Sequence, residues 1–483
     1  MPSVFLTTQL KIHNPSRRKR AILASTMRVY TLAYKRLLDL AKEKETEIES
    51  VCRFKNTVSA KLIAGYLSRV FKPHAYLFPM HTSLKDSLFE DVAQTLASYF
   101  ELKERAGQDT NVSPPSWPQA PDLGKDESVL LGEYSSLLDD LQKAETSDDA
   151  HRIEMQIRQT LKVQKPVPPL FARPDGNVRC RNFGLYYEPK TDTFWVRLFL
   201  LDGHDPRRKP LEGRKRCLLA VRDETPEADF SSRPASHLLL PLECGTWQRE
   251  KFLRPALENP RMVRTARLCR KGDDFYLHVT FEYPCPSPVQ PRTILAVVVD
   301  RRPLVEVSVT DLEGTEITQA VVPGDMWWRE QRRQREVRRE IQQRGKNCDF
   351  SFKGVNDNIM HLVANEIVDL AQTYKSQVVM LDSRPSVAPP QTVARKREAV
   401  NYTLHRRPYG RLRQLLEYKL PLAGLPEPKT VYPWQGMLKE CVVCGRSAAE
   451  NGAVCACGHR VDFTQERALK VARKWLDIAK SGG

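Results

Sequence analysis

The stretch "CVVCGRSAAENGAVCACG", residues 441 to 458, gathers four thiols near the end of a 483-residue chain. Two cysteine pairs so close in sequence meet only through tight turns, and Gly445 and Gly458, one after each pair, supply the backbone freedom for them. The spacing is C-x2-C, a ten-residue loop, then C-x-C. Four such thiolates, Cys441, Cys444, Cys455 and Cys457, are able to close a tetrahedral Zn2+ site at Zn–S distances of about 2.3 Å. The second pair is one residue shorter than the common C-x2-C, which leaves His459 as an alternative to Cys457. With four protein ligands there is no open position, so the expected zinc is structural. The competing reading is four buried free thiols. The other cysteines of the eleven are scattered through the first 350 residues, and late bunching of this kind suggests metal in a reducing compartment, not disulfides.

A chain of this length is expected to form two to four domains. Lys and Arg outnumber Asp and Glu by 76 to 59, a net charge of +17, which favours a polyanionic partner, with nucleic acid the leading candidate. No apolar run approaches the ~20 residues of a membrane span, and the N-terminus lacks the order of a signal peptide. No membrane partner and a cytoplasmic location are the expectation.

Residues 4 to 12 read as a strand, and a basic-headed amphipathic helix follows, with Ile22, Met27, Tyr30, Leu37 and Leu38 near helical spacing. Helical patterns continue to about residue 165, broken by the linker-like "GQDTNVSPPSWPQAPDLGKD". Residues 166 to 288 turn to strand alternation, with "RKGDD" as a hairpin turn. From 290 onward strand pairs and long helices suggest α/β organisation.

Nucleic-acid contacts are sought in the basic stretches. "MWWREQRRQREVRREIQQR" carries seven Arg between 329 and 344 after Trp327 and Trp328. Arg332, Arg335 and Arg339 share one helical face while Arg329, Arg333 and Arg338 lie elsewhere, so that cations surround much of the helix. A solvated helix laced by Glu330, Glu336 and Glu340 is the alternative, but three Glu do not neutralise seven Arg. Arg17, Arg18 and Arg20 near the N-terminus, and Arg406, Arg407, Tyr409 and Arg411 in "LHRRPYGRLRQ", are weaker candidates, with Tyr409 and Arg411 placed to stack on bases or simply to pack.

"ILAVVVDRRPLVEVSVTD", residues 294 to 311, reads as strand, turn and strand with Asp300 at the first strand's end. Taken in order with the basic helix, the amphipathic "NDNIMHLVANEIVDLAQTY", the strand "SQVVMLD", the segment "YGRLRQLLEYKLPLAGL", the cysteine pairs and the last helix "ERALKVARKWL", this arrangement resembles the TnpB family and the related class 2 type V CRISPR effectors. The resemblance implies a multidomain α+β and α/β fold. Its parts would be a first wedge strand (1–20), a helical recognition lobe (21–165) and a β-barrel-like wedge module (166–288). A split RuvC-like, RNase H-like domain would follow in segments 289–325, 347–440 and 459–483, with an Arg-rich bridging helix (326–346) and an inserted zinc ribbon (441–458).

The resemblance also implies a two-metal nuclease site of clustered carboxylates. Aligned without a gap, the family's ligand positions fall on Val298, Leu381 and Gln465, and Arg467 nearby would repel Mg2+. A shortened turn would instead bring Asp300 into the first position. A displaced site built from Asp300, Asp382 and Glu466 or Asp462 is the rival. The expectation is therefore an inactivated nuclease with no catalytic Mg2+: a prokaryotic, RNA-guided protein that binds a guide RNA and double-stranded target DNA next to a short flanking motif. It would sit on the nucleoid when target-bound and act by blocking transcription or by recruiting a partner such as transposition machinery. The alternatives are an active guided endonuclease and a guide-independent DNA-binding regulator.

Overall fold

A computed structural model of the chain describes residues 3–54, 57–76, 78, 80–108, 114–119, 136–137, 140–141, 146–160, 165–172, 183–200, 220–221, 237–299, 304–323, 325–344, 353–382, 409–433, 437, 440–446, 454–460 and 466–481. They form two compact units, Phe5–Glu282 and Tyr283–Gly483, the latter together with Met1–Val4. Both mix α and β structure, and each has its own large sheet. Among the described residues no helix is long and apolar enough to cross a membrane.

In the first unit the helices are α1 (Arg17–Glu43), α2 (Glu45–Val51), α3 (Ala60–Tyr76), α4 (Thr82–Gln108) and α5 (Ser147–Thr160). The expected amphipathic character of α1 is corrected: residues 21 to 34 are buried on every side. Most of its polar side chains tolerate this because they find partners, the Ser25 hydroxyl being an exception. Thr26 and Thr31 donate back to the carbonyls of Ile22 and Met27 at 2.8 Å, Arg28 pairs with Glu154 of α5 at 2.6 Å, and the Tyr30 hydroxyl donates to Asp91 of α4 at 2.9 Å.

The strands of this unit are β1 (Ser3–Ile12), the small hairpin β2 (Arg53–Phe54) and β3 (Thr57–Val58), then β4 (Leu170–Phe171), β5 (Phe183–Glu188), β6 (Thr193–Phe199), β7 (Ala220–Val221), β8 (His237–Glu243), β9 (Val263–Lys271) and β10 (Asp274–Pro284). Apart from the hairpin they form one sheet in the order β4-β9-β10-β1-β8-β6-β5-β7. The expected turn in "RKGDD" closes the β9–β10 hairpin: Lys271 pairs with Asp274, and Gly272 takes the positive φ of +58° that the turn requires.

The second unit contains β11 (Thr293–Val299), β12 (Val305–Asp311), β13 (Glu316–Val322), α6 (Asp325–Gln343), α7 (Lys353–Tyr374), β14 (Ser376–Leu381), α8 (Tyr409–Leu422), β15 (Lys429–Val431) and α9 (Arg467–Ser481). Its sheet runs β13-β12-β11-β14-β15; the first three strands form an antiparallel meander, and β14 and β15 add in parallel. Every residue of β11 and β14 is buried, as continuous apolar runs require when both sheet faces are covered. Leu295, Val297, Val307 and Met380 pack with α7 and α8 on one face. Ile294, Ala296, Val298, Val379 and Leu381 pack with Ala468, Val471, Ala472 and Leu476 of α9 on the other.

Candidate functional site

Two of the positions that the resemblance assigns to metal ligands, Val298 and Leu381, lie on the sheet face covered by α9. Val298 pairs directly with Glu306 across β11 and β12, and Val297 pairs with Met380 of β14. One step further along this parallel register, Val298 and Leu381 stand on neighbouring strands and share one apolar cluster, 2 % and 6 % exposed. Asp382 is buried too, and its N–H donates to the Val431 carbonyl at 2.9 Å. Burial pushes up the pKa of the Tyr409 hydroxyl, and the charge of Asp382 adds to the shift. Asp300, Asp462 and Gln465 lie outside the described residues.

Glu306 is the carboxylate on this face that sequence reasoning missed. It is 1 % exposed. One oxygen accepts the backbone N–H of Ala468 at 2.9 Å, and the other accepts Nε of Arg467 at 3.2 Å. Glu306 thus caps the start of α9, where unsatisfied N–H groups and the helix dipole favour negative charge. Burial raises its pKa; the N–H of Ala468 and the guanidinium of Arg467 oppose that shift without cancelling it. The signal for this residue was present in "VEVSVT", where a lone carboxylate interrupts a strand otherwise built to be buried.

Glu466, the third rival ligand, is engaged elsewhere. Its Oε1 lies 2.5 Å from Nε2 of His459, and its Oε2 lies 4.0 Å from Nζ of buried Lys470. Two divalent ions need several oxygen ligands converging from separate segments. Here Val298 and Leu381 present methyl groups, and Glu306 is held by Arg467 and a helix terminus; among the described residues the four cysteines are the group of three or more His, Cys, Asp or Glu placed to hold a metal.

The cysteines do fit zinc. The Sγ atoms of Cys441, Cys444, Cys455 and Cys457 all lie within 4.8 Å of one another. Cys441 and Cys457 are 3.7 Å apart and Cys444 and Cys455 3.4 Å, against sulfur–sulfur edges of about 3.8 Å for a tetrahedron with Zn–S of about 2.3 Å. Two turns make the cluster. Gly445 donates to the Cys441 carbonyl and Gly458 to that of Cys455, each glycine at positive φ (+70° and +85°). Burial pushes the Cys441 thiol up, but the N–H groups of Cys444 and Val443 and the neighbouring thiols outweigh it and bring it down to about 7, towards the thiolate that a metal needs. Of the two alternatives for the fourth ligand, Cys457 joins the cluster, while His459 bonds to Glu466.

The nucleic-acid candidates separate by burial. On α6, Arg329, Arg332, Arg333 and Arg339 are exposed on the outward side, with Arg333 3.8 Å from Glu330. Nothing is described of the Arg335 side chain. Trp327 is 6 % exposed inside the core, and Trp328 packs partly buried against it. Tyr409, 2 % exposed, belongs to the same core. The expectation that the Trp327 ring faces nucleic acid is corrected, because the sheet offers it apolar partners, and Tyr409 follows the alternative of simply packing. Arg411 pairs with Asp357 at 2.9 Å. Arg17 pairs with Asp148 at 2.8 Å in solvent, and Arg20 donates to the Pro15 carbonyl. The Arg18 side chain and residues Arg406 and Arg407 are outside the described set.

No protein-family model and no curated protein matches the chain. Among solved structures it is similar to the cryo-EM structure of a Cas12f1–sgRNA–target DNA complex, with 12 % identity over 97 % of this chain and 99 % of that one, at a TM-score of 0.46. A CRISPR-Cas12f ternary complex matches with 13 % identity over 94 % of this chain and 80 % of that one, at 0.30. A Cas12i(E894A)–crRNA–dsDNA complex matches with 8 % identity over 84 % of this chain and 56 % of that one, at 0.31. These structural neighbours are type V CRISPR effectors.

Proposed function

We propose that this chain is an RNA-guided DNA-binding protein, related to TnpB and the type V effectors, that holds its target without cutting it. Its guide RNA would pair with one strand of the target, the protein would read a short flanking motif and the heteroduplex shape, and the complex would stay in place. It would act by obstructing transcription or by recruiting a second protein, such as transposition machinery. The net charge of +17 and the outward arginines of α6 support a polyanionic partner. In the second unit, β11 to β13, β14 with β15, and α9 are separate chain segments that meet on one sheet, as a split RuvC-like domain requires.

The observation that carries the non-cleaving part is the apolar pair Val298 and Leu381, side by side under α9 at the positions where ligand carboxylates are expected. Mg2+ exchanges its tightly held hydration waters for oxygen ligands, and methyl groups offer none.

Protein purified from its native locus is expected to carry a discrete small RNA. It should bind DNA matched to that RNA in Mg2+-free, zinc-containing buffer as tightly as with Mg2+, with affinity falling steeply as salt rises. An RNA-free preparation that binds one fixed DNA sequence tightly would instead establish the guide-independent regulator.

A further inference from the structure

We propose that the guanidinium of Arg467, together with the first N–H groups of α9, takes the place a divalent cation would hold beside the β11–β12–β14 face, satisfying Glu306 from within the protein and closing that face to metal. The inference deepens the reading of this unit as a former nuclease and rests on it.

Glu306 lies in register opposite Val298, and therefore points to the same face as Val298 and Leu381. A carboxylate this deeply buried needs a counter-charge, since an ion left buried and unpaired is strongly unfavourable. The available partners come from one short segment, Nε of Arg467 and the N–H of Ala468, one on each carboxylate oxygen. A divalent ion bridging the sheet to the last helix would have to draw on the same two oxygens. Lys470, buried one turn further along α9, adds a second basic side chain; burial lowers its pKa, and nearby acidic groups including Glu306 oppose that shift. Two buried basic side chains at the start of one helix repel Mg2+ or Mn2+ from any approach to Glu306. In this arrangement the link between sheet and helix survives the loss of the metal ligands, because an ion pair built into the chain supplies the attraction.

The test separates an ion pair standing in for a metal from an ordinary buried salt bridge. Val298→Asp adds a second carboxylate in register with Glu306, and Mn2+ binding is read by electron paramagnetic resonance and by the Mn2+-induced rise in Tm. Val298→Asp alone is expected to bind Mn2+ weakly, and Val298→Asp with Arg467→Ala about tenfold or more tightly, because removing the guanidinium vacates the cation position. Arg467→Gln, which keeps a donor for Glu306 without the charge, serves if the alanine variant does not fold. Equal Mn2+ binding with and without Arg467, or no binding in either variant, overturns the inference and leaves the non-cleaving reading intact. A Tm of the unmodified protein that rises with Mn2+ overturns it too. Guided cleavage by the unmodified protein counts against the proposed function instead.

Discussion

At Trp327 and Arg332, five residues apart on α6, the same helix does two different things. The indole packs into the core that joins the sheet to α7 and α8, whereas the guanidinium faces solvent. Trp327→Ala is expected to lower stability by about 3–5 kcal/mol, the usual cost of removing a large buried ring, read as a shift in denaturant midpoint. Arg332→Ala should stay within about 0.5 kcal/mol. A Trp327→Ala variant with an unchanged midpoint and weaker nucleic-acid binding would return the ring to the surface. The sequence misled here because a Trp pair before an Arg run has the local composition of a stacking platform. What buries Trp327 is a sheet formed by residues far along the chain, and local spacing carries no record of it. Glu306 was legible on the same terms: a single acidic residue in an apolar strand demands a partner, although nothing nearby in sequence reveals that the partner is Arg467, 161 positions away.

Among the elements, α9 is the one through which the second unit is joined. Its Arg473 donates to the carbonyls of Gly314, in the β12–β13 turn, and Val442, in the first cysteine turn. Glu466, just before the helix, holds His459 of the second turn. The double variant Cys441→Ser, Cys444→Ser should therefore lose its zinc, about one ion per chain by elemental analysis, and also loosen α9. Amide hydrogen exchange over residues 468 to 472 is expected to speed up. Full zinc content, or unchanged exchange despite zinc loss, contradicts this coupling. For α6, replacing Arg329, Arg332 and Arg339 together with Ala should reduce the salt dependence of nucleic-acid binding by about 2–3 in log–log slope, roughly one for each phosphate that an arginine no longer neutralises. An unchanged slope makes the outward arginines a solvated face. Element types were readable from periodicity in most places, and the "RKGDD" turn was placed by its Gly. For α1 the pattern failed over residues 21 to 34, because back-bonded threonines and the Arg28–Glu154 pair let polar residues enter the core.

For the whole molecule, sequence order carried more than any single motif. A basic chain with helices, then strands, then an α/β region with late cysteines was legible from composition and period alone. The structure divides into two compact units with separate sheets, the helices of residues 17–160 and the strands that follow lying in the same unit. Less legible was how the last helix returns to cover the strand opened at residue 293, since nothing in a linear pattern pairs residues so far apart. That return brings Val298, Leu381, Glu306 and Arg467 to one place, and on the proposed reading it is what closes the face to metal. The decisive measurement incubates the RNA-loaded protein with a DNA duplex matched to its guide, in Mg2+ and separately in Mn2+, and follows bound fraction and strand length together. The DNA should be bound and both strands should remain full length, and Asp300→Ala should leave target affinity nearly unchanged. Guide-dependent cutting that Asp300→Ala abolishes would contradict the proposed function, since a working metal site would then have persisted beside the apolar pair.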